Sequence, residues 1–223
     1  MNGASFGPPK AVVFDWDNTL VDSWQVIHEA LRETLVAFGL KPWTIEQTKG
    51  WVRRSMREAF PGLFGANAEA AAARFYRAYR SLHLSNVRLM PETTALLDGL
   101  ARRGAYLAVL SSKNGDLLRA EAEHLGVADY FARLGGATDT PEDKPSPLAM
   151  AHVLEPGRLA GGPDVWYVGD TGIDVVCARR AGCVSVVVGA LPALDGDEAH
   201  EPDLHFSSLA DLMAFVSGFG HTI

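Results

Sequence analysis

Four short apolar runs rich in strand-forming residues recur along this chain, at Ala11 to Phe14, Tyr106 to Leu110, Val165 to Val168 and Val184 to Val188, with stretches of helical spacing between them. This alternation restricts the fold severely. A strand buried on both faces reads as a continuous apolar run, and its parallel neighbour is reached only through a crossover, usually a helix. An α/β fold with a parallel sheet and helices on both faces is therefore expected. A weaker strand candidate lies at Arg133 to Ala137. Ile27, Leu31, Leu35 and Phe38 form one helical stripe closed by Gly39, and Leu96, Leu97 and Leu100 precede Gly104, so both stripes should face a core.

From about Trp24 to about Arg88 the alternation stops, and several helical patterns follow one another without a convincing strand. The expected organisation is a core domain of residues 1–22 and 89–223 interrupted by a helical domain of residues 23–88. Thr44 and Gln47 match a capping box, Ala70 to Arg80 suits a second helix, and Pro61-Gly62 reads as the break between them. Linkers are expected near Ser23 and near Met90-Pro91. At 223 residues and 48% hydrophobic content, the chain can bury an ordinary globular core. A net charge of -7 gives no general attraction to nucleic acid or anionic lipid. No apolar stretch is long enough to span a bilayer, and the first ten residues lack the pattern of a signal peptide, so a cytoplasmic protein is expected. Cys177 and Cys183 read as buried thiols rather than a disulfide, and the acidic piece Asp195 to Glu201 as a solvated loop.

Asp15 and Asp17 follow directly on the first apolar run. Two carboxylates crowded at a strand mouth repel each other unless a cation holds them, and a hard divalent ion such as Mg²⁺ suits their oxygens. Three more segments lie where an open parallel sheet places its ligands, at the carboxyl ends of strands. Ser111 and Ser112 follow Tyr106 to Leu110 and offer a hydroxyl and a backbone N–H, although such serines commonly serve as turn or cap residues. Lys144 lies in Asp143-Lys144-Pro145-Ser146-Pro147, where the prolines reduce the freedom of a loop whose lysine otherwise reads as a surface residue. Asp170 follows Val165 to Val168 through Gly169, and Asp174 stands four positions later at a helix start, where aspartates also occur for structural reasons.

In their order and residues, Asp15-Trp16-Asp17-Asn18-Thr19-Leu20, Val109-Leu110-Ser111, Lys144-Pro145-Ser146-Pro147 and Val168-Gly169-Asp170-Thr171-Gly172-Ile173-Asp174 resemble the sequence blocks of the haloacid dehalogenase (HAD) superfamily. The likeness covers nearly the whole chain and is similar to the phosphoglycolate phosphatase and β-phosphoglucomutase branch, with residues 23–88 in the place of its C1 cap. Trp16 and Asn18 depart from what many relatives carry, without removing a reacting group. The resemblance implies a Rossmann-like, HAD-like core and a Mg²⁺-dependent phosphatase acting on a small phosphorylated metabolite. It further implies that Asp15 attacks phosphorus to form an aspartyl-phosphate, and that Asp17 protonates the leaving alkoxide and then activates water. Asp15, the carbonyl of Asp17 and Asp170 would bind the metal. Ser111, Ser112 and Lys144 would bind phosphoryl oxygens, and Asp174 would hold Lys144 or a metal-bound water. Asp17 also separates this sequence from the dehalogenases, whose halide leaving group needs no proton.

Substrate choice is expected to reside in the helical cap. Arg53 or Arg54, in Lys49-Gly50-Trp51-Val52-Arg53-Arg54, could meet a second anionic group or form a solvated basic patch. Trp24, Trp43 and Trp51 could line a pocket or pack the cap. Two other readings remain open at this point: a sugar phosphomutase using the same carboxylates, and a binding homologue without catalysis. A monomer or homodimer is expected.

Overall fold

The computed structural model describes residues 6–52, 56–191 and 201–219. Six parallel strands form the main sheet: β1 (Ala11–Phe14), β4 (Tyr106–Leu110), β5 (Arg133–Gly135), β6 (Val165–Gly169), β7 (Val184–Val188) and β8 (Leu204–Phe206), in the order β5-β4-β1-β6-β7-β8. Between the first and second of these come β2 (Val21–Asp22), the helices α1 (Trp24–Ala37), α2 (Ile45–Trp51), α3 (Met56–Phe64) and α4 (Ala68–Asn86), and β3 (Arg88–Leu89), which pairs antiparallel with β2. The remaining helices are α5 (Thr93–Arg102), α6 (Gly115–His124), α7 (Pro147–Leu154), α8 (Gly172–Arg180) and α9 (Leu209–Ser217).

Alternation along each strand divides the core in two. Val12, Phe14, Leu107, Val109, Trp166 and Val168 face one side, where they join Leu96 and Leu97 of α5 and Leu212 of α9. Ala11, Val13, Ala108, Leu110, Val165 and Tyr167 face the other, against Ala149 and Val153 of α7 and Cys177 and Ala178 of α8. Both cysteines are buried and unpaired, and burial pushes the Cys177 thiol up to about 12. The first core runs without interruption through Leu20 and Val21 into Ile27, Leu31, Phe75 and Tyr79, so the four helices between β2 and β3 rest on one face of the sheet's own core.

Two local expectations change. Pro61 lies inside α3, and the helix gives way instead at Gly65, whose φ of +54° suits glycine. Phe60 and Phe64 are buried and pack with Phe75 and Phe38, and this aromatic packing outweighs the single backbone bond a proline removes. Strand β8 was not expected. It is three residues long with His205 in its middle, too short and too polar to announce itself. Most of Asp195 to Glu201 lies outside the described residues.

No helix among the described residues is long and apolar enough to cross a membrane.

Candidate active site

The chain passes from β1 to β4 and β5 on one side and returns through β6, β7 and β8 on the other, so the sheet order reverses at β1. The crevice beyond the carboxyl ends of β1, β4 and β6 is where such a sheet binds ligands. A cleft opens there, lined by Asp15, Asp17, Ser111, Ser112, Lys144 and Asp170 together with side chains of α1 and α4.

Asp15 is the residue after β1, and its N–H donates to the carbonyl of Val168 at 2.8 Å, which ties it to the neighbouring strand. A tight turn follows, in which Asn18 donates to the carbonyl of Val21 and the N–H groups of Leu20 and Val21 return to the carbonyl of Trp16. Asn18 has φ of +64°, a left-handed conformation that asparagine tolerates better than most residues and glycine accepts freely. Asp17 is thereby held beyond the strand, on the wall of the same cleft as Asp15.

Lys144 is buried between two carboxylates, with Nζ 2.8 Å from Asp15 Oδ1 and 2.8 Å from Asp174 Oδ1. Burial works against its charge, but Asp15 and Asp174 hold its pKa above the ordinary lysine value. Asp174 Oδ2 accepts from the N–H and hydroxyl of Thr171, at 3.0 and 2.5 Å. Burial would raise the Asp174 carboxyl, yet Lys144 overcomes it and holds the group below the usual range. Gly169 makes this packing possible: a Cβ there would lie 2.4 Å from Asp174 Cγ. The glycine thus admits a side chain of the site itself.

Asp170 completes the group. One oxygen from each of Asp15, Asp170 and Asp174 lies within 4.8 Å of the others, a hard-oxygen set able to hold a metal ion. Burial lifts the Asp15 carboxyl to about 6, with Asp174 and Asp17 adding to the effect and Lys144 opposing it. Burial, then Asp15 and Asp174, push Asp170 well above the usual carboxylate range, and its hydroxyl donor is Thr19 at 3.3 Å. Carboxylates this reluctant to ionise call for more positive charge than Lys144 supplies, so the residues fit a divalent cation.

Ser111 is buried at the end of β4, its N–H donating to the carbonyl of Gly135, and its Oγ accepts from the N–H of Lys113 at 3.2 Å. Ser112 is half-buried on the cleft wall. Trp24 and Val52 reach the cleft, whereas Trp43 meets Trp51 edge to face and Trp51 packs at a tilt on Phe60, the packing arrangement. Arg53 and Arg54 lie outside the described residues.

Sequence reasoning passed over a second ionic group beside the first. Lys113 Nζ lies 2.7 Å from Asp17 Oδ1 and donates to Glu121 Oε2 at 2.8 Å and to Tyr79 Oη at 2.6 Å. Glu121 is fully buried on α6 and also accepts from Trp16 Nε1 at 2.8 Å and Tyr79 Oη at 3.0 Å, while His83 Nδ1 stands 2.9 Å away. One signal was available. Glu121 shares the apolar stripe of Leu117, Leu118 and Ala122, and a charge in that position must find a buried partner.

Fold and site together define a parallel α/β protein with a buried acid and lysine centre able to hold a metal. Residues 12–188 match the family described as haloacid dehalogenase-like hydrolase, and the chain belongs to that family. A phosphoglycolate phosphatase from Neisseria meningitidis is 34% identical over 221 residues, covering 91% of this chain and 92% of the relative. Another from Rhodospirillum rubrum is 31% identical over 231 residues, covering 93% and 92%. The solved structure of a haloacid dehalogenase-like family hydrolase from Streptococcus pneumoniae shares the fold, with a TM-score of 0.81 at 21% identity over 93% of this chain and 98% of that one.

Proposed function

We propose that the protein is a Mg²⁺-dependent phosphatase of a small phosphorylated metabolite in the cytoplasm, working through an aspartyl-phosphate. The observation that carries this reading is Asp15, buried at the switch point within 2.8 Å of Lys144 and grouped with Asp170 and Asp174. In this reading Asp15 attacks phosphorus and Asp17 delivers a proton to the departing alkoxide, then takes one from the attacking water. Lys144, the Ser111 hydroxyl and the backbone at Ser112 bind the phosphoryl oxygens as charge accumulates on them. Asp174 orients Lys144. The carboxylates of Asp15 and Asp170 and the carbonyl of Asp17 would hold Mg²⁺, which supplies charge neutralisation at the phosphoryl group when bound. Residues 23–88 act as a cap that excludes water, with Trp24 and Val52 on the cleft wall contacting the leaving group. The relatives' names make phosphoglycolate the first compound to try.

The test is phosphate release from a panel of phosphorylated metabolites, with Mg²⁺ or with EDTA. Expected is hydrolysis of a small phosphomonoester that EDTA abolishes; silence across the panel with Mg²⁺, or full activity in EDTA, overturns the reading. Recovery of an isomeric phosphate ester in place of inorganic phosphate would identify a mutase.

Metal binding should also appear in thermal melts. Asp15 carries a raised pKa, so between 3.8 and about 6 the metal-free folded state binds a proton that the unfolded chain lacks. Its contribution to stability therefore falls as pH rises through that window. A cation competes with that proton and reverses the trend. At pH 8, Mg²⁺ at about a hundredfold excess over Kd should raise Tm by roughly 5–10 °C, and the gain should shrink below pH ~6. A gain that is the same at pH 5 and pH 8 would remove these carboxylates from the binding site.

A further inference from the structure

Glu121 lies outside the acid and lysine centre, and nothing in the proposed chemistry uses it. Its surroundings are nevertheless built for an anion: Trp16, Tyr79 and Lys113 all donate to it inside the protein, with His83 in contact. Burial opposes its ionisation, and Lys113 more than compensates. The donors come from separate places. Trp16 adjoins Asp17 in the turn after β1, Tyr79 and His83 belong to α4, and Lys113 follows Ser111 in the loop after β4.

Lys113 also forms an ion pair with Asp17. Its Nζ stands 2.7 Å from Asp17 Oδ1, a buried oxygen with no further hydrogen-bond partner among the described residues. The ammonium group of Lys113 thus places the Asp17 carboxylate. Lys113 is in turn fixed at its far side by both oxygens of Glu121, at 3.0 and 2.8 Å, and by Tyr79. Without Glu121, the ammonium would lose two of the contacts that fix its position against Asp17 and keep only Tyr79 on that side.

We propose that Glu121 is a positioning residue for Asp17, acting through Lys113. This rests on the reading of Asp17 as the proton donor to the leaving group. Because Tyr79 and His83 contribute to the same anchor, α4 is tied directly to the orientation of Asp17.

A purely structural staple between α4 and α6 would use the same contacts, so the test must read proton donation. Alkoxide leaving groups need a proton, and p-nitrophenolate does not. The kcat/KM value, which ends at the first irreversible step, isolates departure of the alcohol from later hydrolysis of the aspartyl-phosphate. Wild type and Glu121→Gln are compared with Mg²⁺ on the best alkyl phosphate and on p-nitrophenyl phosphate, with circular dichroism to confirm folding. Expected is a loss of about 30-fold or more on the alkyl ester with a change under about threefold on the aryl ester, within the range of general-acid effects. In an Asp17→Asn background the alkyl defect should not deepen. If Glu121→Gln does not fold, Lys113→Met/Glu121→Gln removes both charges together and leaves neither unpaired, and it should show the same selective loss. Equal losses on the two esters, or none, overturn the proposal. Failure of the wild type to cleave either ester overturns the phosphatase reading and this inference with it.

Discussion

Asp15→Asn is expected to lower phosphate release by about 10⁴-fold or more while the protein stays folded, because an amide cannot form the acyl-phosphate bond. The stability half of the expectation follows from the site's electrostatics. Burial lifts the Asp15 carboxyl to about 6, so at pH 7 the fold holds a carboxylate that its surroundings disfavour. Replacing it with a neutral isostere relieves repulsion from Asp170 and Asp174 and takes one of two anions from Lys144, which retains Asp174 at 2.8 Å. These effects oppose each other. Tm in EDTA should therefore lie within a few degrees of wild type, whereas the Mg²⁺-dependent rise should be reduced. Phosphate release paired with melts, with and without Mg²⁺, reads both. A purified, folded Asp15→Asn protein that turns over at the wild-type rate would show that the nucleophile lies elsewhere.

The residues legible in the sequence are those whose chemistry and position coincide. Asp15, Ser111 and Asp170 each stand just past a strand, and a parallel sheet must bring such ends to one mouth. Lys144 could be singled out by its proline-flanked loop, though its burial between Asp15 and Asp174 emerges only from packing around α8 and Gly169. Local pattern failed where tertiary contacts decide. Pro61 reads as a break and lies within a helix because Phe60 and Phe64 are held in an aromatic core. β8 exists because Val186 to Val188 offer an open edge, while its own residues carry little strand signal. Lys113 and Glu121 are eight positions apart, more than two helical turns if the chain ran as one helix, and only the turn at Asn114 that starts α6 lets the lysine reach back to the buried glutamate.

Lys144→Met should combine a large loss of stability with a large loss of activity. The substitution keeps the volume of the side chain's stem but leaves Asp15 and Asp174 buried without their shared cation, a change of the kind that costs about 3–5 kcal/mol. In a chain of this size that corresponds to a fall in Tm of roughly 10 °C. Turnover should fall by about 10²–10³-fold, since a fixed positive charge on the phosphoryl oxygens is removed. The pH dependence separates lost charge from lost packing. In the wild type, Asp174 has a lowered pKa, so its contribution to stability is present above pH 3.8 and is lost as pH falls through its folded value. The variant loses Lys144, the cause of that lowering, and burial then favours protonated carboxyls. The Tm difference between wild type and Lys144→Met should accordingly be greatest near pH 8 and shrink toward pH 5, where protons take over part of the lysine's role. Mg²⁺ at pH 8 should return part of the lost stability by supplying the missing positive charge. A deficit that is constant with pH would mean that Lys144 supports the fold by packing alone and that the carboxylates around it are neutralised by something other than its ammonium group.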